Sequence, residues 1–259
     1  MNRALHFASF AWRSELGLHR DGNEDSGLVS QNLVAVADGM GGYAGGEIAS
    51  STAIKTLADL LQVLNDPELD PQSREEIYRT SVEAIDLAIR KIAESKPELD
   101  GMGTTLTSFA LFGNQLNLLH IGDSRAYRIR GKSITRLSHD HTVVQELIDQ
   151  GRITQEEAGD HPQRSFLTQA LMGKLNVEAP LIAFPAELGD IYLLCSDGLT
   201  AVVDEGKIAA AFSEDLQAAV NSLIDLTYKK DAPDNVTVIA ARIADTPNEI
   251  ATTQIGAAQ

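Results

Sequence analysis

The 259 residues, 43% of them hydrophobic, can bury a sizeable core, and one large domain accounts for them better than two. The formal net charge of −16 excludes nucleic acid and anionic membranes as expected partners, and it admits a phosphorylated ligand only where bound cations reverse the local sign. Cys195 is the only cysteine, so no intrachain disulfide forms, and the opening MNRALHFASFAWRSE is too interrupted for a signal peptide or membrane span; a cytoplasmic chain is expected.

Alternation from Leu5 through Phe7 and Ser9 predicts a first strand running into Trp12. Residues 17–27, GLHRDGNEDSG, are dense in charge and read as a solvated turn. Asp21, Asn23 and Asp25 match the opening of an EF-hand loop, but Ser26 replaces its turn glycine and Asn32 its bidentate glutamate, which argues against that site. Residues 33–37, LVAVA, form an uncharged strand that ends at Asp38, with Gly39, Gly41, Gly42, Gly45 and Gly46 following. A carboxylate there, beside backbone without side chains, can bring its oxygens and a carbonyl to one point, as a hard divalent cation requires. Gly39, Gly41 and Ala44 also fit the dinucleotide fingerprint, with Asp59 as a ribose-binding acid, but Asp38 would set a bare negative charge beside the pyrophosphate. A plain tight turn is the third reading.

Helical spacing of Ile48, Ala49, Ala53, Leu57, Leu60, Leu61 and Leu64 predicts a helix ending near 64. Ser73 with Glu76 has the pattern of a capping box opening a second helix. Between 104 and 137 the period changes to strands: TTLTSFALF, QLNLLHI, SRAYRIR and SITRL, with Gly113-Asn114 and Gly131-Lys132 as hairpin turns. Such an antiparallel meander argues against a doubly wound parallel sheet, and so against the dinucleotide reading. Residues 139–175 are polar and short-helical, with Thr154 to Glu157 as a capping box, and form a candidate mobile insertion. His139 and His141 could pair on a metal, but they read better as a loop and helix start capped by Asp140 or Thr142. Strands are predicted over 177–184 and 191–195, the second ending in Asp197-Gly198 as the earlier one ends in Asp38-Gly39. Cys195 lacks the arginine six residues on that a cysteine phosphatase carries; Ala201 stands there, and Cys195 reads as core. Helices over 205–212 and 214–228 precede a turn holding Asp231 and Asp234 and then the last strand. Residues 245–259 have few large apolar side chains and are expected to be a disordered tail.

Asp38, Asp197 and Asp234 each stand at a strand edge, and Glu24-Asp25 lies shortly before the first. Two like charges 4 Å apart cost about 4 kcal/mol at an effective dielectric of 20, so acids that converge must either protonate or hold cations.

On GLHRDGNEDS (17–26), VADGMGGYAGGE (36–47), GMGTTL (101–106), HIGDSRAYRIR (120–130), DHTVVQELIDQGRIT (140–154), HPQRSFLTQALMG (161–173), LLCSDGLT (193–200) and DNVTV (234–238), the chain resembles the protein phosphatase 2C family of metal-dependent serine/threonine phosphatases in its bacterial form. The resemblance covers residues 10–243. It implies an α+β fold, a four-layer αββα sandwich in which two antiparallel sheets face each other between helices. Residues 1–244 would then be the catalytic domain, with residues 140–175 as a flap beside the cleft. It implies two Mg2+ or Mn2+ ions, with Asp38 bridging both and Asp197 and Asp234 completing one. The Gly39 carbonyl and an acid of the Glu24-Asp25 pair would serve the other ion, and Asp123 with Asp197 a weaker third. Arg20 matches the family's phosphate-binding arginine. The implied reaction is hydrolysis of phosphoserine and phosphothreonine by a hydroxide held between the ions, without a phosphoenzyme. Phosphorylated proteins, kinase substrates or a kinase itself, would be the partners of a monomer. Met40 and Tyr43 depart from the pattern, since some members carry histidine at the first position and many bacterial members at the second. The identity of the proton donor stays open. A phosphoprotein-binding module of weak activity and a metal-dependent phosphodiesterase are the rival readings.

Overall fold

The computed structural model describes residues 5–42, 45–174, 177, 179–212 and 215–259. Strands β1 (His6–Glu15), β2 (Asp25–Val29) and β3 (Leu33–Met40) lead into helices α1 (Gly45–Leu64) and α2 (Pro71–Ser95). A short β4 (Gly103–Thr104) precedes the meander β5 (Leu106–Phe112), β6 (Gln115–Ile121), β7 (Arg125–Arg130) and β8 (Ser133–Arg136). Helices α3 (Val143–Asp149) and α4 (Gln155–Gly159) come before β9 (Ile182–Pro185) and β10 (Ile191–Cys195). Helices α5 (Asp197–Thr200), α6 (Glu205–Ala211) and α7 (Leu216–Tyr228) follow, then β11 (Val236–Ala244) and β12 (Thr253–Gly256).

The strands form two antiparallel sheets, ordered β1-β11-β10-β7-β8 and β12-β2-β3-β5-β6-β9, with β4 paired to β3. Apolar side chains of the two sheets meet between them, while α1 and α2 cover the second sheet and α5–α7 the first. This is the four-layer αββα sandwich. It explains why the strand cores lack the usual polar alternation, since both faces are covered. In β3, Val34 and Val36 enter the space between sheets, whereas Leu33, Ala35 and Ala37 pack on the helices. In β10, Tyr192 and Leu194 point between sheets and Leu193 and Cys195 toward α5–α7.

The same alternation builds the site. Continued by two residues, the inward stripe of β3 reaches Asp38, that of β10 reaches Ser196, and that of β11, through Ile243, Ala241 and Ile239, reaches Thr237. In β2, Val29 and Gly27 lead to Asp25, which lies opposite Asp38 in register. At one end of the sandwich, therefore, the filling between the sheets changes from hydrocarbon to carboxyl and hydroxyl groups.

Four expectations are corrected. Residues 17–27 are not wholly a solvated turn, because Asp25, Ser26 and Gly27 belong to β2, every residue of which is buried. Asp70, not Ser73, caps α2; its side chain accepts from the Ser73 N–H, with Pro71 opening the helix. Strand β9 spans Ile182–Pro185 rather than 177–184. Residues 253–256 of the tail pair as β12 with β2, held by Ile255, which is buried between the sheets. Among the described residues, no helix is long and apolar enough to cross a membrane.

Candidate metal and phosphate site

Each acid is fixed by its own backbone setting. Asp38, near the end of β3, donates its N–H to the Thr105 hydroxyl (2.9 Å), while its carbonyl accepts from the Thr104 hydroxyl and the Thr105 N–H, both at 2.9 Å. Gly39 donates its N–H to the Glu24 carbonyl at 3.2 Å. A Cβ on Gly39 would run into the Gly46 backbone, so only glycine lets the start of α1 approach this strand. Gly198 does the same for Asp197, since a Cβ there would overlap the Asn235 carbonyl and drive the 197 and 234 loops apart. Asn235 staples these loops to a third, accepting from the Glu24 N–H (2.9 Å) and donating to the Gly22 carbonyl (3.0 Å).

The carboxyl groups so placed act on one another. Burial pushes Asp38 well above the usual carboxylate range, and the charges of Asp25, Asp197, Asp123 and Asp234 push it further. Asp197 is likewise raised, by burial and then by the charge of Asp234. Asp25, fully buried, is raised to about 7 by burial and by Asp197 and Asp234, although Ser196 donates to its Oδ2 at 2.7 Å. Its Oδ1 is buried without a hydrogen-bond partner. Asp123, between β6 and β7, is raised to about 7 by burial, then by Asp197 and Asp140. Glu24 is raised by burial, with Asp234 and Glu47 adding to the effect. Asp234 accepts from Arg20 at 2.5 Å.

Six acids and the Gly39 backbone thus converge, and their chemistry fits hard divalent cations, which take carboxylate and carbonyl oxygens. The partnerless Asp25 Oδ1 is the clearest sign of fit. In this arrangement no three of the described His, Cys, Asp and Glu side chains form a ready-made ligand group. The acids are engaged instead with Arg20, on Asp234, and with Ser196, on Asp25, partners that a cation can displace.

Arg20 pairs with Asp234, across the chain, rather than with the adjacent Asp21. Arg125, two residues from Asp123, grips Asp140 through two nitrogens, at 2.9 and 2.6 Å. Asp123 and Asp197 then share a cleft wall with Thr142, Arg164, Ser165 and Pro233, residues of the insertion and of the 231–234 turn. The histidines stay outside the cluster. His139 pairs with Asp149, and His141 Nδ1 accepts from the Gly122 N–H at 3.1 Å, with Thr142 capping α3. Met40, at the end of β3, is half-buried and pairs with Gly103, and Tyr43 lies outside the described residues. Burial pushes the Cys195 thiol up to about 12, too high for a nucleophile. Sequence reasoning missed Ser196, Thr237, Asn235, Thr104 and Thr105. Ser196 and Asn235 stand next to an acid and Thr237 two residues along the inward face from Ile239, but Thr104 and Thr105 carried no such mark.

Residues 21–225 match the model of the protein phosphatase 2C family. The chain belongs to that family. It is 44% identical over 246 residues to the serine/threonine protein phosphatase PstP of Mycobacterium tuberculosis, covering 95% of this chain but 47% of that protein, so the chain spans about half of that relative's length. A serine/threonine phosphatase of Listeria welshimeri is 34% identical over 239 residues, covering 88% of this chain and 93% of that one. The crystal structure of the M. tuberculosis phosphatase superposes with a TM-score of 0.83 at 43% identity, covering 95% of this chain and 100% of that one. A PstP catalytic domain solved in complex with 2 manganese ions gives 0.83 at 41% identity, covering 94% and 100%. These protein phosphatase 2C relatives carry the same two-sheet architecture over nearly the whole chain.

The raised acids set the pH dependence of stability. A carboxyl whose folded-state pKa exceeds its unfolded value favours the fold while protonated, and this contribution is lost as pH rises through the folded value, here about 7 for Asp25 and Asp123. In a chelating buffer, Tm should fall by on the order of 5–10 °C between pH 5 and pH 8, and manganese at pH 8 should restore most of it. A calorimetric scan series checks this; a flat profile in chelator would contradict the mutual repulsion described here.

Proposed function

We propose that this chain is a protein phosphatase that uses Mg2+ or Mn2+ to hydrolyse phosphoserine and phosphothreonine in proteins. The observation that carries the reading is the convergence of Asp25, Asp38, Asp123 and Asp197 beside Asp234, the first four raised by burial and by neighbouring negative charge that cations would relieve. Membership of the protein phosphatase 2C family supports it. Asp38 would bridge two ions, with Asp197 and Asp234 on one and Glu24 or Asp25 with the Gly39 carbonyl on the other. Asp123 and Asp197 would hold a weaker third. When bound, the cations supply an acidified water and a positive clamp for phosphoryl oxygens.

The chain's own groups do the rest. Arg20, half-exposed at the rim, can present two nitrogens to a phosphoryl group. In the structure it is held by Asp234, a carboxylate that would itself hold a cation, so the guanidinium would be freed for substrate in the loaded site. The cleft wall from the insertion shields the reacting group from bulk water. Asp123, on that wall beside Asp197, organises protonation of the leaving oxygen, the task left open by Met40. The net charge of −16 keeps polynucleotides and anionic membranes away. Phosphoproteins of serine/threonine kinases, or the kinases themselves, are the substrates we assign, for a monomer acting in the cytoplasm.

Three substitutions test these roles. Asp38→Asn should lower turnover of a phosphothreonine peptide by roughly two orders of magnitude or more at saturating manganese, with circular dichroism unchanged. Near-native turnover would sink the two-cation reading. Arg20→Ala should chiefly raise KM, by about tenfold, the mark of binding shared by ground and transition states. An unchanged KM across several phosphopeptides would remove Arg20 from phosphate binding. Asp123→Ala should cost far more on phosphopeptides than on nitrophenyl phosphate, because a serine alkoxide needs a proton to leave and nitrophenolate scarcely does. Equal losses on both substrates would refute the protonation role.

A further inference from the structure

The C-terminal residues close against the back of the acid cluster. Strand β12 pairs with β2 from Thr253 opposite Val29 to Gly256 opposite Ser26, and one residue further the Ala257 N–H donates to the Asp25 carbonyl at 2.8 Å. Without β12, β2 would be the edge of its sheet, and β2 is the strand that carries Asp25. The fit is close at each step. Ile255 lies over Gly27 so tightly that a Cβ on that glycine would stand 2.7 Å from the Ile255 side chain. Gly256 has φ +66°, and a Cβ there would overlap the Asp25 carbonyl and stand 2.9 Å from the Ser14 hydroxyl. Ala258 is buried.

Ser14 links the segment to the Asp25 side chain by a second route. Its hydroxyl is 2.7 Å from that of Thr237, the Thr237 N–H donates to Ser196 Oγ at 2.9 Å, and Ser196 donates to Asp25 Oδ2. Asn23 donates to Ser14 at 2.9 Å and accepts from the Asp25 N–H at 3.1 Å, closing the ring. Residues 253–258 thus touch both the backbone of Asp25 and the hydroxyl chain that fixes one of its carboxylate oxygens. The other oxygen, Oδ1, has no protein partner.

We infer that residues 255–257 are positioning residues for the cation site: docked as β12, they fix β2 and the Ser14–Thr237–Ser196 chain so that Asp25 keeps one oxygen available to a divalent ion. The inference rests on the proposed reading of the acid cluster as a cation site. Ordering of the segment and binding of the cation are then coupled, and the coupling is reciprocal: a docked β12 tightens the cation, and the cation slows release of β12. Anything that peels the segment from β2 lowers cation affinity without touching a ligand.

Two measurements on the full chain test this. Hydrogen exchange of the wild type, with and without saturating Mn2+, should show the amides of 254–257 exchanging about fivefold more slowly or better with the ion. Calorimetric titration with Mn2+ should give Gly256→Val a Kd raised by about tenfold, as for loss of groups that orient a metal ligand. Ile208→Ala, in the outer helix layer, should lower Tm while leaving Kd within about twofold of wild type. A folded Gly256→Val with unchanged Kd, or a manganese-binding wild type whose 254–257 amides exchange as before, overturns the inference. If Gly256→Val does not fold, the exchange measurement decides alone. A wild type that binds no manganese overturns the cation-site reading itself, and this inference with it.

Discussion

Mutual repulsion among carboxyl groups withdrawn from solvent is the constraint on which the rest of this structure turns. Asp25, Asp38, Asp123 and Asp197 meet where burial alone would raise their pKa values, and the charge of Asp234 adds to the cost of ionising Asp25, Asp38 and Asp197. Nothing in the hydrophobic layers requires them there. The fold holds them together by spending backbone hydrogen bonds, glycines and hydroxyl groups: Thr104 and Thr105 on Asp38, Gly39 and Gly198 at the close approaches, Asn235 across three loops and Ser196 on Asp25. Such local destabilisation is common where a site must be ready before its ligand arrives.

The two sheets supply the geometry. Each inner strand runs apolar for most of its length and turns polar at the same end, so one period-two pattern fills the core and builds the site. Chemistry and stability are therefore not carried by separate elements. A shift of register by one residue in β3 would send Val34 and Val36 toward the helices and withdraw Asp38 from the cluster at once. The insertion is tied to the same framework: Thr104 pairs with Leu171, Thr142 with Leu167, and Asp140 accepts two hydrogen bonds from Arg125.

Much of this was legible in the chain. Asp38 and Asp197 announced themselves by ending apolar strands before glycine, and the hairpin turns at Gly113 and Gly131 marked the meander, both glycines adopting positive φ. What stayed hidden has physical reasons. Strand β2 begins in the charged run that ends at Asp25 and continues through Ser26 and Gly27, poor strand formers placed there by Ser50 and Ile255 on either side. Strand β12 is held mainly by backbone pairing and a single large side chain, which a periodicity argument cannot detect. Asp70 was passed over as a cap because Ser73 and Glu76 imitate a capping box one turn later. Arg20's choice of Asp234 over Asp21 is a long-range contact that no local pattern encodes.

The burial of Cys195 has an implication for oxidative stress. The residue sits in the layer between its sheet and helices α5–α7, with no solvent exposure and a thiol raised to about 12, so almost none of it is thiolate at neutral pH. Peroxide and alkylating agents attack the thiolate, and here they find neither the charge nor a path to it. With no second sulfhydryl in the chain, the cleft has no reversible sulfur switch. A burst of oxidant that silences enzymes dependent on a cysteine thiolate would leave this cleft chemically unchanged.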